Sequence, residues 1–336
     1  MNATPMPPAP APREGAHAPC VQVLVLNFCS GSDTLACVEA IRQLDYPNYR
    51  LLVTDNASPD GSGAELQAAI PAHEFLQTGR NLGYAGGNNL GIRRALEEGA
   101  EYVFIVNPDV RLPPSCLADY VALMESDPTI GALNAVQLQQ DGAEIDQSFR
   151  RGVLMPAGRD QARFDPASLP ETFETPVVYG AALLLSRRAL ERVGGFDPLY
   201  FAYFEEIDLC RRLRRHGFRL VVTTRSPVLH IRTQYQKPLS RRVRFLRLKG
   251  YYLSRLKNAD NALASTARAI LREIRTALFG DPSRLYPFDT YPLDRVIVIR
   301  TLAWLVWHLP AVMRHRQREI LPGMHYLPRA VEGITP

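Results

Sequence analysis

Three short apolar runs, each closing on a polar turn and separated from the next by a stretch of helical period, constrain this chain more than any other feature. Val21 to Leu26 carries no charge and reads as a strand buried on both faces; Arg50 to Thr54 and Glu101 to Val106 repeat the pattern. Between them, Thr34 to Leu44 places Leu35, Val38, Ile41 and Leu44 near helical spacing. Helices are also expected from about Ala64 to Ile70 and from Asn88 to Glu98, with a short strand near Glu74 to Gln77. Strands alternating with helices at this interval specify an α/β domain on a doubly wound parallel sheet. Ligands of such a sheet sit beyond the carboxyl ends of its strands, which is where Asp55 and Asp109 fall. Further on, Gln140 to Pro176 is irregular and Pro-rich, the character of an active-site loop region. Val177 to Leu185 is strand-like, and Arg219 to Thr223 is a last strand leading to His230.

The 336 residues suffice for one large core plus an appendage. The net charge of +5 is divided: residues 237–336 hold 18 Lys+Arg against 7 Asp+Glu, a net of +11, which leaves about −6 for the remainder. Two such halves face different partners. Met1 to Pro19, rich in Pro and Ala with no apolar segment, reads as a disordered leader rather than a signal peptide. The expected organisation is therefore a leader over 1–19, an α/β domain over 20–235 and a basic amphipathic helical tail over 236–336. The five cysteines, Cys20, Cys29, Cys37, Cys116 and Cys210, form no CxxC pair or Cys/His cluster. That argues against a disulfide framework or a zinc site and for a reducing, cytoplasmic setting.

Within the tail, Arg241 to Lys257 alternates cationic with apolar or aromatic residues. Val296 to Met313 is apolar but interrupted by Arg300, His308 and Pro310, too broken for a transmembrane span. It suits a helix lying at the headgroup boundary of the inner membrane face, with Trp304 and Trp307 as interfacial anchors. The competing reading is a helical lid packed on the α/β domain, or a dimer interface. Nucleic acid is not the expected partner, since no binding module is recognisable and the front half is acidic.

Several short patterns carry chemistry. Asp55-Asn56-Ala57-Ser58 puts a carboxylate and polar side chains at a strand end, where they can take hydrogen bonds from a base or a ribose, although the same residues make an ordinary turn. The run from Arg80 to Asn89 is rich in Gly and Asn. It lets backbone approach a ligand ahead of a helix N-terminus, yet it is neither a GxGxxG fingerprint nor a P-loop, and a capped flexible loop fits it equally. Asn107-Pro108-Asp109 ends an apolar strand with an oxygen ligand suited to a hard divalent cation, or simply with a turn. Glu205, Glu206 and Asp208 crowd three carboxylates into four residues, and their mutual repulsion is expected to raise one pKa toward that of a general base. Acidic residues also suit a helix start, with Arg211, Arg212, Arg214 and Arg215 following as partners. His230 taken alone is a structural histidine; close to Asp109 it would be a metal ligand.

Seven of these pieces in order resemble the family 2 glycosyltransferases, especially their rhamnosyltransferase-like branch acting on bacterial polysaccharides. The similar residues are Val23 to Asn27, Val53 to Ser58, Asn81 to Asn89, Val106 to Asp109, Tyr179 to Ala182, Gly194 to Asp197 and Tyr203 to Leu209, so that the likeness spans about residues 20–235. The resemblance implies a GT-A-type fold with the tail as a C-terminal helical extension. It implies a nucleoside-diphosphate sugar donor (dTDP- or UDP-linked), Mg²⁺ or Mn²⁺, a glycan or lipid-linked acceptor, and inversion at the anomeric carbon. By the same resemblance Asn27, Asp55, Asn56, Arg80, Asn81 and Gly86 are donor contacts. Asp109 is the last acid of a DxD motif and His230 a second metal ligand, while Glu206 is the catalytic base with Asp208 as its rival. Two departures stand out: Asn107 replaces the first acid of the metal motif, and Glu206 stands where the family usually has Asp. They leave open a degenerate scaffold. A nucleotidyltransferase is disfavoured, because its Gly-rich basic loop is missing after Leu26.

Overall fold

A computed structural model describes residues 18–231, 239–280 and 294–328; the expected leader lies, but for its last two residues, outside them. The first part of the chain alternates β1 (Val21–Asn27), α1 (Gly31–Arg42), β2 (Tyr49–Asp55), α2 (Ser62–Ala69), β3 (Phe75–Gln77), α3 (Gly83–Glu97) and β4 (Tyr102–Val106). It continues through β5 (Val110–Arg111), α4 (Cys116–Ser126), β6 (Ile130–Leu138), the short α5 (Gln147–Phe149), β7 (Thr172–Glu174), β8 (Ala182–Ser186), α6 (Arg187–Val193), α7 (Glu205–Arg215) and β9 (Arg219–His230). Four basic helices follow: α8 (Arg241–Lys257), α9 (Leu263–Phe279), α10 (Arg295–Trp307) and α11 (Leu309–Arg318).

The strands form one sheet ordered β3-β2-β1-β4-β8-β6-β9-β5, with β7 paired to β9. Its first four strands are parallel, as expected, but β8 enters antiparallel between β4 and β6, so the sheet is mixed. Strand period 2 splits β1 between two cores. Val21, Val23 and Val25 face α1 and α4, whereas Leu24 faces α3, α6 and α7. Both sheet faces are thus covered, which is what wholly apolar strands require.

Three expectations need correction. The helix placed at Asn88 begins at Gly83, because glycines in the Arg80–Asn89 run serve packing: a Cβ at Gly87 would meet the Leu26 side chain at 2.6 Å, and one at Gly91 that of Leu24 at 2.7 Å. The strand placed at 177–185 forms only from Ala182; Val177 to Ala181 is held instead by side chains. The last strand runs unbroken from Arg219 through His230.

The tail is not a free appendage. Phe245, Leu248, Tyr252, Leu253 and Leu256 of α8 form a buried cluster with Tyr200 and with residues of α9, α10 and α11. The apolar positions of Arg241 to Lys257 therefore pack against the α/β domain and the other tail helices. Trp304, expected as an anchor, is also packed: its ring stacks on His308 at 4.1 Å and lies under the Lys249 ammonium at 4.8 Å. Trp307 is 84% exposed and shares an outward apolar face of α10 with Val296, Ile299 and Val306. No single described helix is long and apolar enough to cross a membrane. Together α10 and α11 reach that length but are bent by 67°.

Candidate active site

At the carboxyl edge of the parallel strands, the register puts Asn27 opposite Asp55, and both are fully buried. The Asp55 carboxylate accepts hydrogen bonds from Asn27 Nδ2 at 2.7 Å, Ser58 Oγ at 2.6 Å, the Ser58 N–H at 3.1 Å and Gln77 Nε2 at 2.9 Å. Asn27 Oδ1 in turn accepts from the Ser30 N–H and Thr34 Oγ1. Asn56 is closed in the same way: its Nδ2 donates to the Gly83 carbonyl and Asn81 Oδ1, and its Oδ1 accepts from the Leu82 N–H at 2.9 Å. The structure therefore ties Asn27, Asp55 and Asn56 to one another and to neighbouring backbone, at the edge on which a nucleotide would lie. Arg80 is exposed beside them, and Asn81 and Gly86 are part-exposed on the loop and first turn of α3. Those three remain available to a ligand.

Asp109 and His230 do come together. Strand β5 pairs with the end of β9, Val110 opposite His230, which sets His230 Nε2 3.4 Å from an Asp109 carboxylate oxygen. Two donors held at about 2.1 Å by one cation and at right angles lie ~3 Å apart, so this pair fits a single divalent ion. His230 is 8% exposed, its Nδ1 has no hydrogen-bond partner, and an Asp146 oxygen lies 4.0 Å from it, beyond hydrogen-bond distance. Among the described residues no group of three or more His, Cys, Asp or Glu is arranged to hold a metal. A divalent ion held by this pair would have to take its other ligands from phosphate oxygens and water, as Mg²⁺ commonly does.

Glu206 stands in the first turn of α7, where the helix dipole favours a carboxylate. Its side chain is half-buried and lies against Gly180, where a Cβ would sit 3.3 Å from a Glu206 carboxylate oxygen, so that the Gly180 N–H and its own backbone N–H favour the charged form. Burial pushes its carboxyl above the ordinary glutamate range, and the two N–H groups oppose this; repulsion, the expected cause, does not drive the shift. Gly180 is set by two residues the sequence reading missed. The Tyr84 hydroxyl donates to the Gly180 carbonyl at 2.9 Å, and Asn134 clasps the Tyr179 backbone at both its N–H and carbonyl. Tyr84 lay inside a singled-out run, and Asn134 interrupts the apolar run of β6, but nothing local connects either to Glu206. Burial, followed by the charges of Glu206, Glu205 and Asp109, raises the Tyr84 hydroxyl pKa, which joins the base candidate and the metal candidate around one side chain.

Asp208 is a different kind of residue. It is fully buried, with Lys257 Nζ at 2.5 Å and Arg212 Nε at 2.9 Å. Burial works against its charge, but Lys257, Arg212 and Arg211 outweigh that and hold the carboxyl well below the usual range. A carboxylate so occupied cannot take a proton from an acceptor hydroxyl, which removes Asp208 as the rival base. The Gly194–Asp197 run is structural for a related reason. Arg212 donates to the Val193 and Gly195 carbonyls, Asn89 clasps Phe196, and Asp197 receives Lys257 and His315.

A family model of glycosyl transferase family 2 matches residues 23–194, which is half of the chain. The chain belongs to this family. The N-acetylglucosaminyl-diphospho-decaprenol L-rhamnosyltransferase of Mycobacterium tuberculosis is 28% identical over 205 residues, covering 54% of this chain and 66% of that protein. The rhamnosyltransferase WbbL of Escherichia coli K12 is 27% identical over 193 residues, covering 52% of this chain and 70% of its own length. Thus the chain spans about two thirds of the length of these curated relatives. Among solved structures, the mannosyltransferase PcManGT from Pyrobaculum calidifontis in complex with GDP-Man and Mn²⁺ aligns with a TM-score of 0.54 at 18% identity, over 93% of this chain and 89% of that one. At that identity the likeness establishes the fold, a GT-A-like mixed α/β sheet.

Proposed function

We propose that this chain is an inverting glycosyltransferase that moves a sugar, rhamnose in the first instance, from a dTDP or UDP donor to a lipid-linked or polysaccharide acceptor at the inner membrane face. The observation that carries this reading is the half-buried Glu206 carboxylate, set beside Gly180 together with the Tyr84 hydroxyl, which also feels the charge of Asp109 of the Asp109–His230 pair. Rhamnose and the lipid-linked acceptor are taken from the printed names of the relatives.

Glu206 takes the proton of the acceptor hydroxyl as its oxygen attacks the anomeric carbon. The bond from that carbon to the diphosphate oxygen breaks on the opposite face, and the nucleoside diphosphate leaves without a covalent enzyme intermediate. Asp109 and His230 would hold Mg²⁺ or Mn²⁺, which when bound offsets charge developing on the leaving diphosphate. Arg80, Asn81 and Gly86, exposed or part-exposed at the sheet edge, would contact the donor.

The test is incubation with dTDP-rhamnose or UDP-glucose, Mn²⁺ and a polyprenyl-diphosphate-linked N-acetylglucosamine. Release of nucleoside diphosphate, matched by a sugar of inverted anomeric configuration on the acceptor, is expected. Retained configuration would overturn the mechanism, and no binding of either nucleotide would overturn the function.

A further inference from the structure

The turn that delivers Glu206 is strained. Phe201, Tyr203 and Phe204 all have positive φ, at 66°, 71° and 75°, and Phe204 is the residue from which α7 starts. Left-handed backbone at bulky residues costs about 1–3 kcal/mol each and persists only where the surroundings over-determine it. Those surroundings come from two sides. From the α/β domain, the Ala85 N–H donates to the Phe201 carbonyl at 3.1 Å. Gly83, itself at φ +73°, gives this carbonyl room that a Cβ would fill. From the tail, Lys249 of α8 is 3% exposed and donates from Nζ to the Leu199 carbonyl at 2.8 Å and the Tyr200 carbonyl at 2.7 Å. Its neighbour Gly250 lets α8 press on the turn, since a Cβ there would lie 2.7 Å from the Tyr203 carbonyl.

A buried ammonium needs a reason. Burial draws Lys249 down to about 8, and the charges of Glu205 and Asp197 act to raise it. The stability of the helix packing needs none of this, because a methionine would fill the same space without a desolvation cost. What the ammonium adds is a hold on two carbonyls just ahead of the strained residues.

We infer that Lys249 is a positioning residue for the transfer reaction: it holds the 199–204 turn in the shape that aims the Glu206 carboxylate at the acceptor hydroxyl. The tail helix is then a working part of the active site. This inference rests on the reading of Glu206 as the base.

Lys249→Met keeps the stem and removes the donors; Lys249→Arg keeps charge and donors. Calorimetry with dTDP and Mn²⁺ should give affinities for Lys249→Met within about twofold of wild type, since the donor edge is untouched. In the transfer assay its kcat should fall about 10- to 100-fold with donor KM little changed, the cost of a misplacement near 1 Å, and Lys249→Arg should recover part of the loss. Hydrogen–deuterium exchange of the peptide spanning 199–206 reads the same claim without turnover. It should be at least about tenfold faster in Lys249→Met, with β1 and α3 unchanged. Unchanged exchange, or wild-type kcat in Lys249→Met, overturns the inference. So does a loss spread equally over melting, nucleotide binding and kcat that Lys249→Arg does not recover. Normal turnover in Glu206→Gln sinks the base reading instead, and leaves the exchange result to judge Lys249 alone.

Discussion

Lys257 sets its ammonium 2.5 Å from an Asp208 carboxylate oxygen, and neither side chain has any solvent exposure. The same ammonium also pairs with Asp197, equally buried, so one cation from α8 bridges two carboxylates of the α/β domain. Removing one partner of a buried ion pair costs about 3–5 kcal/mol, because the charge left behind is unpaired in a poor solvent. Lys257→Met should therefore lower the unfolding free energy measured by urea denaturation by that order, and the midpoint with it. Asp197→Asn added to Lys257→Met should regain part of the loss. A midpoint unchanged in Lys257→Met would show that the cluster is not holding the tail.

The acid limit of stability follows from the same cluster. The carboxyls of Asp197 and Asp208 are both held low: burial opposes their charge, but Lys257 outweighs it, with His315 aiding Asp197 and the two arginines Asp208. A carboxyl whose folded pKa lies below its unfolded value binds fewer protons in the native state. Its stabilisation is present above the unfolded pKa, about 3.9, and is lost as pH falls through the folded value. The contribution of this cluster to the melting temperature should stay level above about pH 5 and be lost progressively below pH 4. Asp208→Asn should show a lower plateau and a shallower drop; an identical acid profile would contradict the assignment.

What was legible in the sequence was local. Strands β1, β2 and β4 declare themselves because burial on both faces leaves no polar alternation to confuse, and Asp55 and Asp109 lie at their ends for the same reason. Strand β6 escaped because Asn134 and Gln137 break its apolar run, and because it pairs with β9, some ninety residues on, which no local period records. The antiparallel entry of β8 is a property of the chain path rather than of any strand. Lys249 and Lys257 looked like two more cations on a basic helix; only the carbonyls and carboxylates of a distant segment make them buried donors. The mutual hydrogen bonds of Asp55 and Asn27 were hidden for a related reason. The sequence shows a polar cluster at a strand end, but not that its members satisfy one another.

Metal dependence should trace to Asp109. Nucleoside diphosphate binding by wild type should be tighter in Mn²⁺ than in chelator. Asp109→Ala should abolish that difference at a melting temperature close to wild type, since its side chain is 31% exposed, and His230→Ala should reduce it. Loss of a ligand commonly costs at least the 10–100-fold in metal affinity seen for second-shell changes. Equal affinity for dTDP or UDP with and without the ion in wild type would dispose of the metal site.

Membrane contact, if mediated by the tail, belongs to the outer face of α10. Removing 237–336 is a poor test, because it strips Lys249 and Lys257 from buried partners and should unfold the domain. A Val306→Ser, Trp307→Ser double variant leaves the core intact, as both residues are exposed. Wild type should float with phosphatidylglycerol vesicles, less so as salt rises. The double variant should float less at every salt concentration, and equal flotation would exclude this face.

The base assignment is the sharpest claim on the chemistry. Glu206 and Asp208 are two residues apart, so on a helix they point about 200° from one another. The structure shows the consequence: Asp208 faces the tail cations and Glu206 faces Gly180 and Tyr84. Burial raises the Glu206 carboxyl, and Glu205 beside it is raised by burial and by the Glu206 charge. Since the base must be ionised to accept a proton, kcat/KM should fall as pH drops through this raised value. Its acid limb should lie above the ordinary glutamate pKa of about 4.3 and belong to the Glu205–Glu206 pair jointly. Glu206→Gln should bind dTDP in Mn²⁺ as wild type does, yet lose about two to four orders of magnitude in kcat. Glu206→Asp should keep part of the activity, since only reach changes. Asp208→Asn should instead lose stability first, with turnover per folded molecule much less affected. Normal turnover in Glu206→Gln together with a dead but fully folded, donor-binding Asp208→Asn would reverse the assignment.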